Sequence, residues 1–465
     1  MLFSSLEFLV LFLPVTLLVA LRLRGQPLLW WIAVTSTVFY AFAGHWWFIV
    51  PMLVTTVVDY GVAIVMEREH RPAARRWLLA LSLAGNLGML AYFKYSGLMA
   101  RTSQQGLRLL GLESSAAALG VFEIVLPAGI SFYTFQTLAY IIDVWRKQAP
   151  AEHNFIRFAG FVSFFPHLVA GPLTRHHQLI PQLARIAATG IDPRWQAGIF
   201  LFCVGLAKKV LLADRLGNLV DPLLAAPLAL DAPRAWLALL GYAFQIYFDF
   251  SGYSDMAIGL GRLFGIELPQ NFNSPYKAVS PADFWRRWHM TLSFWLRDYL
   301  YITLGGNRCG PARRRFNLMA TMVLGGLWHG ASWTFAAWGT WHGLLLVLHQ
   351  SIPVWSRLSA FWQRNLTFFL VCLGWVFFRA ESFAHAGQWF ASLAGAHGVA
   401  GAWSQETLLL LGLVVVSLLI VRLCPNSLEL PLERIGALPQ VGLAAATAVA
   451  VVLMNYGSKF LYFQF

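Results

Sequence analysis

Charge is scarce in this sequence, and acidic charge scarcer still. Only 12% of the 465 residues are charged, with 21 Asp and Glu against 34 Lys and Arg, while 58% are hydrophobic. That excludes a soluble globule, which could not keep so much apolar surface from water. A mean hydropathy of +0.61 points instead to an all-α polytopic membrane protein. The net charge of +13 would suggest nucleic acid in a soluble chain. Here the basic residues sit in short connections between apolar runs, the pattern of cytoplasmic loops facing an anionic bilayer surface. Nucleic acid is therefore not expected as a partner, whereas a polyanionic cosubstrate would suit the same residues.

Cysteine is nearly absent as well. Cys203, Cys309, Cys372 and Cys424 are far apart, show no CxxC spacing and lie in or beside apolar runs, which excludes a disulfide framework and a cysteine zinc site. In an apolar span the thiolates of Cys203 and Cys372 are disfavoured, so neither is a promising nucleophile. There is no Walker A loop and no GxSxG elbow, and Gly259-Leu-Gly-Arg-Leu-Phe-Gly265 lacks the spacing and strand of a dinucleotide fold. His167, His176 and His177 invite a metal reading, but no HExxH frame is present and adjacent histidines on a helix do not face one ion. No metal and no bound cofactor are expected. Internal repeats are missing too, which weighs against a transporter, and no long linker divides the chain. A single integral-membrane domain, 1–465, is expected, with its motifs concentrated in about 245–349.

What is present is a series of apolar runs. Phe8–Leu21 has no basic residue before it and no small-x-small cleavage site, and Arg22 and Arg24 follow, so it is expected to be an uncleaved span starting outside. Leu28–Ala43, Phe48–Met66, Trp77–Phe93, Phe122–Ile142, Phe155–Val169, Trp195–Leu212, Ala235–Phe250, Leu318–Leu327, Trp333–Leu348, Leu366–Phe378, Leu408–Val421 and Val441–Met454 come next. Lys94–Gly120 is too polar to span and reads as interfacial. Several runs fall short of the roughly 20 residues that cross hydrocarbon, so about 11–13 membrane-embedded helices are expected, some short or re-entrant.

Into this apolar background the stretch from Asp283 to His349 inserts imidazoles, guanidiniums and indoles, and an ionisable side chain at membrane depth needs a functional reason. His329, in Leu-Trp-His-Gly, is the first candidate for catalysis; a buried structural histidine is the plainer alternative. His289 is the second. Around it Trp285, Arg286, Arg287 and Trp288 form either an interfacial helix with snorkelling arginines or the wall of a chamber binding a phosphate-bearing donor. Asp249 and Asp255 interrupt another run and must be paired, protonated or in water; Arg262 is one possible partner.

Phe284-Trp-Arg-Arg-Trp-His-Met-Thr-Leu-Ser-Phe-Trp-Leu-Arg-Asp-Tyr-Leu-Tyr301, Leu304-Gly-Gly-Asn-Arg308 and Gly325-Gly-Leu-Trp-His-Gly-Ala-Ser-Trp333 together closely resemble the membrane-bound O-acyltransferases, and within them the bacterial branch that O-acetylates alginate. Gly129–Gln136, Tyr247–Gly259, Asn271–Tyr276 and the closing Leu461–Phe465 extend the resemblance over most of the chain, while His167 departs from an expected glutamine. The resemblance implies acetyl transfer from acetyl-CoA or another cytoplasmic thioester towards an exported polysaccharide. It implies a bacterial inner-membrane location, and as partners a periplasmic polysaccharide acetyltransferase and the polymer synthesis and export complex. His329 maps onto the family's active-site histidine and His289 onto its second motif position. Trp328 and Trp333 are candidate donors to the oxyanion. The D-alanylation branch acting on teichoic acid shares Trp-Arg-Arg-Trp-His, and a sugar transporter with non-catalytic histidines is a further alternative.

The charge pattern makes a topological prediction: Arg68–Arg76 and Arg308–Arg315 both face the cytoplasm, because short basic loops stay there. Cysteines introduced at Arg71 and Arg313 should resist an impermeant thiol reagent applied to intact cells. Efficient labelling of either would reverse the orientation.

Overall fold

The computed structural model describes residues 1–118, 120, 124–351, 355, 357–401, 403–430 and 436–454. Leu461–Phe465, quoted for its resemblance, and Phe122, the head of one expected run, lie outside the described residues. Every described regular element is a helix, with π-helical and 3-10 segments among the α-helices. Among the described residues, five stretches are long and apolar enough to cross a membrane: Trp46–Arg68, Pro72–Leu109, Trp195–Ala225, Ala360–Arg379 and Gln405–Leu423. This is a multi-pass, all-α membrane protein. Two expectations shift in detail. The polar stretch after Lys94 continues the preceding helix through a π-helical turn, Ala91–Tyr95, into the amphipathic Ser96–Leu109. The motif around Asp249 lies inside one 32-residue helix, Ala232–Leu263.

The chain divides into two compact units, one of Met1–Leu2, Val10–Pro193 and Phe264–Leu268, the other of Phe3–Leu9, Arg194–Leu263 and Pro269–Phe465. In the first, three helices share a buried polar knot. The Asp59 carboxylate, on Ile49–Arg68, accepts from Ser82 Oγ at 2.6 Å and Asn86 Nδ2 at 2.9 Å, both on Pro72–Leu90. Asn86 Oδ1 in turn accepts from Thr137 on Ile130–Trp145 at 3.1 Å. A buried carboxylate must find such donors, and here they fix the register of the three helices. Arg75 closes the same ends: its guanidinium donates to the carbonyls of Met66, Val144 and Trp145, which helix geometry leaves without intrahelical partners. The run Phe155–Val169 breaks at Phe164, since Pro166 cannot continue the N–H ladder, into Phe155–Ser163 and the single turn Phe165–Leu168, where His167 is fully buried.

The second unit is built on Ala232–Leu263, most of whose side chains are buried. Its two carboxylates do not use Arg262. Asp249 pairs with Lys209 and Asp255 with Lys208, at 2.7 and 2.6 Å, and Lys209 is shared with Asp214, also at 2.7 Å. Both lysines lie on a π-helical segment, Lys208–Ala213, whose widened turn presents consecutive side chains to the same neighbour. The ion pairs answer the question that Asp249 and Asp255 posed: paired with lysine, each charge can be kept in an apolar surround.

Removing one partner should therefore cost far more than removing all three. Lys209→Met strands two carboxylates that are 2% and 3% exposed, at about 3–5 kcal/mol, and should depress melting in detergent sharply. Adding Asp214→Asn and Asp249→Asn should recover most of the loss. A triple variant no better than the single one would show that the lysine acts through something other than this pairing.

Candidate active site

The segment carrying His289 is not one interfacial helix. Ser280 caps a short helix, Pro281–Trp285, by accepting from the Asp283 N–H at 3.1 Å. The chain then unwinds and restarts as Met290–Trp295, followed by the π-helical Leu296–Tyr301. His289 sits at the break in the left-handed region, φ 43° and ψ 52°, a conformation that costs a residue with a Cβ about 1–3 kcal/mol and needs support. The support comes from the extended segment before it. Asn271 O accepts the N–H of Met290 and Asn273 N–H donates to Arg287 O, both at 2.9 Å, so backbone groups on each side of the break are bonded.

Asn271 also sets the imidazole. Its Nδ2 donates to Ser254 Oγ at 3.2 Å, and its Oδ1 accepts from Thr291 Oγ1 at 2.9 Å, which orients the amide. His289 Nδ1 lies 3.1 Å from that same Oδ1, so Nδ1 carries the proton and Nε2 the lone pair.

His329 ends the helix Pro311–His329, which turns back as Trp333–Ser351. The two helices cross closely because a Cβ at Gly326 would stand 2.2 Å from Phe335 O, and one at Gly339 would stand 2.3 Å from Met322 O. That approach sets His329 in an aromatic cage. Its ring lies 5.0 Å from Trp328, 5.1 Å from Trp338, 5.4 Å from Phe378 and 6.1 Å from His289, centroid to centroid. The two imidazoles are thus neighbours, although 40 residues separate them in sequence. Behind them, Trp288 packs against Trp375, Tyr276 and Phe284. A cavity of about 180 Å³ opens against His329, its wall formed by Trp285, Trp338, Leu296, Met322 and Gly325, with Ser293, Thr321, Arg297 and Tyr301 as its polar groups.

The other candidates fall into place around this centre. Trp285 lines the cavity, and Trp288 and Trp328 are buried supports. Trp333 is 50% exposed and so makes no buried wall. Arg286 is exposed, and Arg287 is engaged by Asp283 at 2.9 Å; the guanidinium at the cavity is that of Arg297, paired with Asp298 at 2.6 Å. Asp249 and Asp255 serve the lysine pairs. Sequence reasoning missed His342, which is buried against Trp285 at 5.2 Å and Trp338 at 4.9 Å, though a third Trp-His pair, at 341–342, signals it. It also missed the bond from Asn271 to His289, which only the tertiary contact reveals.

Two neighbouring imidazoles, one of them lining a small, mostly apolar cavity, make this the candidate site of the helical unit. The comparisons with known proteins give that site a family. Residues 145–380 match the model of the MBOAT, membrane-bound O-acyltransferase, family. The chain is 43% identical over 407 residues to the protein named probable alginate O-acetylase AlgI of Pseudomonas aeruginosa, covering 84% of this chain and 75% of that one. It is 37% identical over 437 residues to the peptidoglycan O-acetyltransferase of Helicobacter pylori, with 86% and 81% covered. To the teichoic acid D-alanyltransferase of Bacillus subtilis it is 27% identical over 288 residues, with 55% and 69% covered. The chain belongs to the membrane-bound O-acyltransferase family: it is an O-acyltransferase, and an acyl donor is its cosubstrate.

The Asn271–His289 bond yields a test. Asn271→Ala removes the acceptor that fixes the ring and should lower acyl transfer on the order of 10²-fold, the scale of a misplaced catalytic group. On a His289→Ala background the same change should add little, because the two act as a unit. Fully additive losses would separate them.

Proposed function

We propose that the protein transfers an acetyl group from a cytoplasmic thioester, acetyl-CoA or a related donor, across the bacterial inner membrane for O-acetylation of an exported polysaccharide such as alginate. The observation that carries this reading is the placing of His289 beside His329, ring centroids 6.1 Å apart, with His329 lining a small, mostly apolar cavity. His329 is the general base. A hydroxyl is a weak nucleophile, and a neutral imidazole can take its proton as it attacks, an effect worth about 10²–10⁴ in rate. His289, its proton held on Nδ1 by Asn271, packs against His329 and serves as the second histidine of the site. The aromatic wall keeps water from hydrolysing the thioester. The names of the relatives support an acetyl group: two of the three proteins compared above are O-acetyl-transferring, and both match over most of the chain.

In this reading the N-terminus is periplasmic, the basic loops meet the donor in the cytoplasm, and the two units work together as one acyltransferase domain. The donor enters from one side of the membrane and the acetyl group leaves towards the other. A cavity of about 180 Å³ suits a short acyl group far better than a hydrated polymer. The acetyl group is therefore handed to a separate periplasmic transferase carrying its own nucleophile, and the polymer synthesis and export complex lies nearby.

Reconstitution tests this. Proteoliposomes given acetyl-CoA on the cytoplasmic side should acetylate polymer on the other side only when the periplasmic transferase is added. His329→Ala should lower the rate about 10²–10⁴-fold at equal insertion. Robust polymer acetylation by the purified chain alone would refute the hand-off, and near wild-type turnover by His329→Ala would refute the base.

A further inference from the structure

The first unit holds a cluster for which acyl transfer has no use. Asp143 lies near the end of Ile130–Trp145, and His176 and His177 are the first two residues of His176–Thr189. In mid-helix, neighbouring side chains diverge by about 100°, which is why adjacent histidines seldom share an ion. Here the two rings nevertheless come close. The two ring centroids are 5.3 Å apart with planes at 89°, and one ligating atom from each histidine and from Asp143 all lie within 4.8 Å of one another.

A second feature points to a ligand. His176 is only 7% exposed, and its buried Nδ1 has no hydrogen-bond partner. Buried polar atoms are nearly always bonded, so such a nitrogen calls for an explanation. Its nearest carboxylate oxygen, Asp143 Oδ2, is 3.8 Å away, too long for a hydrogen bond. That spacing is near the edge, about 3.3 Å, of a tetrahedron built from metal–ligand bonds of ~2.0–2.1 Å.

We propose that Asp143, His176 and His177 bind one divalent transition-metal ion of the zinc class. Two imidazoles and one carboxylate are borderline donors that suit such an ion and discriminate against magnesium and calcium, which take oxygen. His177 is exposed and offers the entry side, where water completes the coordination. The ion ties the end of Ile130–Trp145 to the start of His176–Thr189, closing the connection between them. Arg75 already fastens that end through the carbonyls of Val144 and Trp145, so the ligand Asp143 stands on a fixed backbone. The ion's role is to secure this corner, and it stabilises the fold by binding the folded chain alone.

The experiment uses the full chain, purified in detergent with a tag free of histidine and stripped by a chelator. Zinc is titrated against a chromophoric competitor, and melting is followed in parallel. One ion per chain should bind at micromolar zinc or tighter, with a rise in Tm and no competition from magnesium. His176→Ala, Asp143→Asn and the exposed-site variant His177→Ala should each weaken binding at least ~10-fold, the scale of a lost metal contact. His153→Ala, at a surface histidine paired with Glu67, should bind as the parent does. The absence of stoichiometric binding by the parent chain overturns the proposal. So does zinc affinity unchanged in His177→Ala, which alters only an exposed side chain and retains the fold.

Discussion

Hydrocarbon offers a polar side chain no water, so each polar group inside this protein depends on another group for its bonds. That constraint organises both units. Asp59 is met by Ser82 and Asn86, Asp249 by Lys209, and the His289 ring by Asn271. In each case the partner lies on a different segment, so satisfying the group also fixes how two segments cross. Apolar packing alone would not do this, because lipid chains are as apolar as leucine and helices gain little from exchanging one for the other. Specific polar pairs and close glycine contacts, such as Gly326 against the Phe335 carbonyl, supply the register instead.

The same constraint explains why the site is built on a break rather than on a continuous helix. Along a regular helix, the Trp-Arg-Arg-Trp-His run would spread its side chains around the axis. Unwinding at 286–289 lets Trp288 turn into the aromatic core while Arg286 stays exposed and Arg287 meets Asp283. A break frees backbone groups, and Asn271 and Asn273 bind those of Met290 and Arg287. One short extended segment therefore both supports the strained residue and fixes the proton on its ring.

Much of this was legible in the chain. Composition gave the class, and the Trp-His pairs at 288–289 and 328–329 picked out two rings that lie 6.1 Å apart. The misses have a common physical origin. Sequence offers Arg262, on the same helix, as one possible partner because it shows local spacing; the partner of Asp249 in the structure, Lys209, comes from a neighbouring helical segment. Asn271 lies 18 residues from His289, and no periodicity connects an extended segment with a helix break. His342 was legible in principle, since Trp341-His342 repeats the pattern of the other pairs, but it sat in an apolar run that read as a plain span.

The cavity itself has a direction. His329, 6% exposed, lies on the same wall as Arg297, whose side chain is 57% exposed and stacks over Phe294 at 5.0 Å. Leu296, Met322 and Gly325 give the lining its apolar part, and Ser293, Thr321 and Tyr301 its neutral polar groups. Gly325 keeps the cavity open: a Cβ there would approach Leu296 Cδ1 to 3.0 Å, a contact close enough to force the leucine aside or narrow the way to His329. The glycine pair at 325 and 326 thus has two separate reasons to be small, one facing the cavity and the other the crossing helix.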